Sequence, residues 1–110
     1  MNYDGPYGCS VEAALSVIGG RWKAVILFRL LENEIMRFGE LQRSIPEVRQ
    51  RMLTNQLREL EKDGIIARKV YPVVPPKVTY RLTEYGRTLE AILLATRDWG
   101  ADHQKRANEQ

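Results

Sequence analysis

The segment RQRMLTNQLRELEKDG, residues 49–64, concentrates side chains that can form hydrogen bonds along one side of a predicted helix. Its leucines recur at the spacing of a buried helical stripe. The opposite side carries Arg51, Asn55, Arg58 and Lys62, with Thr54 to one side. Arginine can form paired hydrogen bonds with guanine, asparagine or glutamine with adenine, and threonine can contact a thymine methyl group. These residue types at this spacing predict a helix that reads the major groove of double-stranded DNA.

Acidic residues are distributed unevenly along the same helix. Glu59, Glu61 and Asp63 occupy its last turns, whereas the first two turns hold no acid. A solvated helix usually mixes acids and bases in pairs three or four residues apart, and acids near a helix C-terminus oppose its dipole. We therefore attribute this arrangement to function rather than to helix stability.

The residues before this helix predict the element that positions it. Apolar residues at helical spacing predict a short helix that begins at Phe38 and ends before Pro46, since proline disfavours a helical residue ahead of it. The longer helix that follows ends at Gly64, a residue typical of a left-handed cap. A short helix, a tight connection and a longer helix form a helix-turn-helix unit, here residues 38–63.

After Gly64 the apolar period changes from about 3.6 to 2, which predicts strands in residues 65–82. The two strands form an antiparallel ribbon, because a connection of a few residues through Pro72, Pro75 and Pro76 is too short for a crossover. A helix-turn-helix unit with such a ribbon is a winged helix, and the wing would contact the DNA backbone or minor groove. The cations available there are Arg68, Lys69 and Lys77.

The N-terminal part is predicted to hold a flexible arm, residues 1–9, and two helices. The first begins at Ser10, and its apolar residues form a stripe that we expect to be buried: Val11, Ala14, Leu15 and Ile18. The second, residues 21–31, is apolar nearly all round and should lie centrally. A brief strand is predicted at residues 35–37.

The C-terminal segment predicts one helix, residues 84–101, capped by Thr83 and followed by a frayed end from residue 104. Its main apolar stripe comprises Tyr85, Leu89, Ile92, Leu93 and Trp99, and further alanines and Leu94 make a second apolar side. A terminal helix with two apolar sides needs two partners. The domain core is one, and a second subunit is the other.

Composition limits the function classes. The 110 residues suit one domain, residues 1–110, with net charge +3. Residues 37–81 carry ten bases and five acids, whereas the rest carries seven bases and nine acids, so the middle suits an anionic partner. The absence of a long apolar run or a secretory signal predicts a cytoplasmic protein without a membrane association.

The residues that catalysis or metal binding requires are scarce. Cys9 is the only cysteine and His103 the only histidine, which excludes an internal disulfide framework and leaves no cluster for zinc. No glycine-rich phosphate loop or paired-carboxylate motif is visible, and a nucleophile beside a base is missing. The sequence therefore predicts a protein that is not an enzyme and holds no cofactor or metal.

Several motifs resemble the HxlR-type bacterial transcription regulators, relatives of the MarR group. These are GGRWK at residues 19–23, RMLT at 51–54, LREL at 57–60 and YPVVPPKVTY at 71–80, and the resemblance covers about residues 9–100. It implies a homodimeric winged helix, mainly α with a small antiparallel β-ribbon, with helical dimerisation elements at both termini. It also implies a pseudo-palindromic operator and places Gln50, Arg51 and Thr54 at the start of the recognition helix.

The resemblance also draws attention to Cys9, because some family members sense oxidants or electrophiles through a cysteine near the start. The adjacent helix N-terminus would make this thiol more reactive. With no second cysteine in the chain, sensing would require a bond between two Cys9 residues of a dimer, a mixed disulfide or alkylation. The alternative is a structural thiol that behaves as a small apolar residue.

The residue types leave two further questions open, each with two alternatives. Tyr7, Trp22, Tyr85 and Trp99 either pack in the core and interface or line a pocket for a small aromatic effector. Such a pocket would lie between the terminal helices and the DNA-reading part. The alternative to DNA binding is a winged-helix module that binds protein, with residues 50–62 merely solvated.

Overall fold

The computed structural model describes residues 8–109, so most of the predicted N-terminal arm lies outside the described residues. The elements are α1 (Ser10–Ile18), α2 (Lys23–Asn33), β1 (Ile35–Arg37), α3 (Phe38–Ser44), α4 (Gln50–Lys62), β2 (Ile66–Tyr71), β3 (Lys77–Leu82), a 3-10 turn (Gly86–Leu89) and α5 (Glu90–Asn108). The strands form one antiparallel sheet in the order β1-β3-β2. This is the predicted winged helix-turn-helix architecture.

The helix-turn-helix unit matches its prediction closely. Helix α3 ends just before Pro46, and α4 covers 13 residues with the predicted start. Gly64 has φ +76°, and the Ile65 amide donates to the Leu60 carbonyl oxygen at 2.9 Å. Only glycine adopts this left-handed geometry without a steric cost, so the sequence ends α4 at this point.

The hydrophobic core lies between α2, the inner side of α4 and one face of the sheet. Its most completely buried side chains are Ile26, Leu27, Leu30, Leu41, Leu53, Leu57, Leu60 and Ile66. Helix α2 packs against α3, β1, β3 and both terminal helices, which confirms its predicted central position. The recognition helix is therefore held by three buried leucines one helical turn apart.

Strand β1 is confirmed, and its pairing is a finding that sequence periodicity did not predict. It pairs with β3 rather than standing alone, with Met36 opposite Tyr80 and Arg37 opposite Thr79. The predicted two-strand ribbon is therefore the outer part of a three-stranded sheet. Because β1 leads directly into α3, this pairing attaches the wing to the helix-turn-helix unit.

The predicted burial of the α1 stripe is wrong for a single chain. Val11 is 67% exposed and Leu15 57% exposed, Ala14 is also exposed, and only Ile18 is half-buried against the core. Helix α1 contacts the chain mainly through α2, so one side of this short helix has no neighbour within residues 8–109.

The C-terminal helix begins and ends at residues other than the predicted ones. Thr83 does act as a cap, since its Oγ1 accepts a hydrogen bond from the Gly86 amide at 2.9 Å, but the turn it caps is 3-10. A side chain at Gly86 would overlap the Ile65 carbonyl, so this position requires glycine. Helix α5 then runs from Glu90 to Asn108, which corrects both the predicted end at residue 101 and the predicted fraying from residue 104.

Of the predicted main stripe of α5, Leu93 alone is fully buried. Tyr85 is 65% exposed, Ile92 44% and Trp99 69%, and the Trp99 ring stacks on that of His103 at 5.0 Å. Helix α5 meets the core on one side only, near α2. Its other apolar side faces solvent in the single chain.

Candidate nucleic-acid interface

The outer side of α4 forms an open surface at the first two turns of the helix. Gln50, Arg51, Thr54, Asn55 and Arg58 line one shallow depression there. All are exposed except Thr54, which is half-buried. Lys62 is exposed in the last turn and does not reach this depression. The predicted division between buried leucines and an exposed polar side is therefore confirmed.

Among the residues of this surface, Thr54 already uses its side-chain hydroxyl in a hydrogen bond within the protein. Its Oγ1 donates to the Gln50 carbonyl oxygen at 2.9 Å, a bond within the helix. A hydroxyl has one proton and two lone pairs, so the methyl group and an acceptor site remain available to a partner. Thr54 therefore suits a thymine methyl contact better than donation to a phosphate.

An ion pair between a buried lysine and a half-exposed glutamate fixes α4 to α2. Lys23 Nζ lies 3.2 Å from Glu59 Oε1, and the Lys23 side chain is 10% exposed. The other carboxylate oxygen of Glu59 accepts a hydrogen bond from Gln56 Nε2 at 3.2 Å. Sequence reasoning did not predict this pair, although a lysine within an apolar helix signals a charge that needs a partner.

A second ion pair joins α4 to the wing. Arg68 Nε lies 3.7 Å from Glu61 Oε1, beside a cleft of about 210 Å³ that Arg58 and Tyr80 also line. Burial raises the pKa of Tyr80 above its usual 10.0, as does Glu61 to a smaller degree, while Arg68 and Arg58 lower it.

These two pairs correct the explanation of the acids in α4. Glu59 and Glu61 attach the recognition helix to α2 and to β2, so they contribute to the structure and not only to function. Arg68, predicted as a wing contact, lies on the face of the sheet that carries Ile66 and Tyr80, beneath α4 and away from the wing tip.

The other two predicted wing cations come together near the tip. The Nζ atoms of Lys69 and Lys77 lie 4.9 Å and 4.7 Å from the centroid of the Tyr71 ring. Tyr71, the last residue of β2, pairs with Lys77, the first residue of β3, so the two flank the connection between these strands. Both ammonium groups thus contact one aromatic ring on the face of the sheet opposite Arg68.

Cys9 is an exposed free thiol immediately before α1. Its carbonyl oxygen accepts the Ala13 amide at 3.0 Å, which places the residue at the N-terminal cap. In the single chain it is therefore not a buried apolar residue.

The aromatic residues divide between packing and exposure. Trp22 is half-buried against the core, with the Arg21 guanidinium 4.5 Å from its ring centroid, whereas Tyr85 and Trp99 are exposed. Tyr7 lies outside the described residues. Trp22 therefore packs against the core, whereas Tyr85 and Trp99 do not pack against it in the single chain.

An open, mainly apolar groove of about 400 Å³ separates α2 from α5. Val25, Phe28, Leu93 and Arg97 are among the residues that line it, and the Arg97 guanidinium lies 5.9 Å from the Phe28 ring centroid. This is the region in which the sequence predicted an effector pocket.

Within residues 8–109 no three histidine, cysteine or carboxylate side chains are grouped as a metal site would require. No helix in that range combines the length and apolar character needed to span a bilayer.

Comparison with known proteins assigns the chain to a family. The model of the HxlR-like helix-turn-helix family matches residues 17–108. The uncharacterized HTH-type transcriptional regulator YdeP of Bacillus subtilis is 51% identical over 102 residues, 93% of this chain and 79% of YdeP. The redox regulator HypR is similar in its reduced form (TM-score 0.85, 48% identity, 93% of this chain and 100% of that chain). Its oxidized form is similar too (TM-score 0.82, 53% identity, 86% and 96%). The chain therefore belongs to the HxlR-like helix-turn-helix family of transcriptional regulators.

Proposed function

We propose that the protein is a cytoplasmic transcription regulator that binds double-stranded DNA sequence-specifically, as a homodimer on a pseudo-palindromic operator. The observation that carries this proposal is the open polar surface of α4, in which five side chains with base-reading chemistry stand opposite three buried leucines. The family is one of transcriptional regulators, and this supports the proposal over an enzyme or a protein-binding module.

The roles of individual residues follow from their positions on α4. Arg51, Thr54 and Asn55 are proposed to contact bases, and Gln50 and Arg58 to share base and phosphate contacts. Lys62, one to two turns further along, would contact a phosphate at the groove edge. Lys69 and Lys77 would hold the wing against the backbone, and Arg68 would support α4 through Glu61.

The dimer is proposed from apolar side chains that a single chain leaves in water. They lie on both terminal helices: Val11, Leu15, Ile92 and Trp99, with Tyr85 just before α5. Large apolar side chains left exposed on two helices are typical of an interaction surface. A two-fold dimer through these helices would present two α4 helices to successive major grooves, about 34 Å apart.

The experiment that tests the proposal is selection of bound sequences from a random duplex library, followed by titration of the selected duplex. Arg51→Ala should weaken binding by about 1–3 kcal/mol and relax the preference at one base position. Arg106→Ala, a change in the last turn of α5, serves as the control for loss of charge. Absence of any selected sequence would favour the protein-binding alternative, and uniform weakening would make Arg51 a phosphate contact.

The wing is tested separately by its salt dependence. Lys77→Ala should reduce the slope of log affinity against log salt by about one unit per contact, because one fewer counterion is released. An unchanged slope would remove the wing from the interface.

We further propose that Cys9 gives the regulator a response to oxidants. Its exposure and its position before α1 support this, as does similarity to HypR, a redox regulator. Diamide would take up two hydrogen atoms as two Cys9 thiols of a dimer form one disulfide. Diamide should then release wild-type protein from the selected duplex and leave Cys9→Ser bound. Equal release of both would end the sensor proposal.

The groove between α2 and α5 is the proposed place for a small aromatic effector, because apolar walls and the Arg97 guanidinium suit an aromatic anion. Its position beside the terminal helices would let an occupant alter the spacing of the two recognition helices. Titration with salicylate should show weaker binding to Phe28→Ala and Arg97→Gln than to wild type, and equal binding to all three would remove the effector from this groove.

A further inference from the structure

The face of the sheet opposite α4 carries a cluster of cations, of which the proposed function uses only the two wing lysines. Helix α4 packs on the face that includes Ile66 and Tyr80. The opposite face, called here the outer face, carries Ile35 and Arg37 on β1, Ala67, Lys69 and Tyr71 on β2, and Lys77, Thr79 and Arg81 on β3. Lys69, Tyr71, Thr79 and Arg81 line one shallow depression on it.

The strand register fixes how these cations are arranged. Thr79 lies opposite Arg37 on one side and opposite Lys69 on the other, so these two cations flank it across the sheet. Since neighbouring strands are about 4.8 Å apart, their backbones are separated by roughly 10 Å. Arg81 and Lys77 lie two residues to either side of Thr79 along β3, about 13 Å apart.

The outer face lacks the acids that would neutralise it. Within residues 8–109, Arg37, Lys69, Lys77 and Arg81 take no part in the ion pairs, which join other residues. Carboxylates lie only at its margins, where Glu40 Oε1 accepts a hydrogen bond from the Arg37 amide at 2.7 Å and Glu84 lines a depression with Arg81. Arg37, Lys69 and Arg81 are exposed, and Lys77 is half-buried against the Tyr71 ring. Four cations without a carboxylate between them suit a partner with regularly repeated negative charge.

The position of the outer face relative to α4 indicates which polyanion this is. With α4 in the major groove, the proposed wing contact lies at the adjacent DNA backbone. Lys69 and Lys77 connect the outer face directly to the proposed wing contact. The DNA next to the operator therefore brings phosphates to this face without a second duplex.

We propose that the outer face binds the phosphate backbone of DNA flanking the operator, with Arg37 and Arg81 as contacts beyond the wing. This rests on the proposed function, because it needs α4 to be bound at the operator. The contacts would add affinity and salt dependence without sequence preference, since phosphates carry no direct base information.

The test compares two duplexes, the selected operator core and the same core extended by about 10 base pairs on each side, by fluorescence anisotropy at several salt concentrations. Wild-type protein should bind the extended duplex about tenfold or more tightly than the core, with a steeper salt slope. Arg37→Gln/Arg81→Gln should remove this gain and reduce the slope on the extended duplex by about two units per subunit, while core binding is unchanged.

Two matched variants separate this role from other effects of charge. Lys105→Gln/Arg106→Gln removes the same charge from α5 and should retain the flank-dependent gain. Arg37→Lys/Arg81→Lys should retain most of it, because lysine contacts phosphate as a point charge.

The outcomes distinguish this inference from the proposed function. If wild-type protein binds the core but gains nothing from the flanks, or if Arg37→Gln/Arg81→Gln weakens both duplexes equally, the outer-face inference is overturned and the regulator proposal stands. If the double variant keeps the flank gain, the cations face another partner, such as an acidic protein, and the inference also fails. Absence of binding to either duplex overturns both.

Discussion

The DNA-reading half of the molecule, α2 to β3, and its terminal helices, α1 and α5, differ in what they do with apolar side chains. In the reading half, Leu53, Leu57 and Leu60 are at most 2% exposed. In the terminal helices, Leu93 is fully buried while Leu15 and Trp99 are more than half exposed. The core of the reading half is thus closed by Leu93 of α5, whereas other apolar side chains of the terminal helices stay exposed within the described residues.

This difference indicates how the two halves depend on assembly. Burial of apolar area stabilises the reading half within one chain, by about 25 cal/mol per Å² removed from water. Burial can stabilise the exposed apolar side chains of α1 and α5 only when another surface covers them. Substitutions in the two halves should therefore be separable by whether their effects depend on protein concentration.

The largest expected effect comes from a cavity in the reading half. Leu57→Ala should lower the free energy of unfolding by about 2–5 kcal/mol, because the side chain is 2% exposed and its removal leaves a void. Urea unfolding followed by circular dichroism measures this. Met52→Ala, a 42% exposed position on the same helix, should change it by about 1 kcal/mol or less. Equal losses would contradict the location of the core.

The next largest effect is expected from a substitution in the terminal helices, which should weaken dimerisation. Trp99→Ala should weaken the proposed dimer by about 2 kcal/mol or more, roughly 30-fold in the dissociation constant, with unchanged helix content. Analytical ultracentrifugation over a dilution series measures this, with Lys105→Ala in the same helix as the control. A dimer that is unaffected by Trp99→Ala would place the interface elsewhere.

A smaller effect tests how α4 is attached to α2. Glu59→Ala should cost about 1–3 kcal/mol, because it leaves the ammonium of Lys23 buried without a partner. Since Glu59 is itself half exposed, the lower end of this range is expected. Lys23→Met/Glu59→Gln, which removes both charges, should recover most of the loss in urea unfolding. Failure to recover would mean that Glu59 acts through something other than this pair.

The smallest effect is a pH dependence centred on Tyr80. Its pKa is raised in the folded state mainly by burial, so above pH 10.0 the unfolded chain loses the phenol proton first. The stabilisation from Tyr80 is thus fully present below pH 10.0 and is lost as pH rises towards its folded pKa. Urea unfolding between about pH 9 and 11 should show a shallower decline for Tyr80→Phe than for wild type, while the exposed-site variant Tyr85→Phe should match wild type.

Much of the candidate site was predictable because its determinants are local. The helical spacing of the leucines predicted which side of α4 is buried and which is polar and exposed. The limits of the helix followed from Pro46 ahead of it and Gly64 after it. The change of period after Gly64 likewise predicted both wing strands. These signals act within one or two helical turns or strand repeats, so periodicity alone reveals them.

Contacts between distant residues were decided only in the tertiary structure. The Lys23–Glu59 pair, the Arg68–Glu61 pair and the pairing of β1 with β3 join segments that sequence patterns treat separately. The same holds for the exposure of α1 and of most of the α5 stripe, which periodicity marked as buried. Periodicity shows which side of an element is apolar, but the partner that covers it depends on how the elements pack in three dimensions.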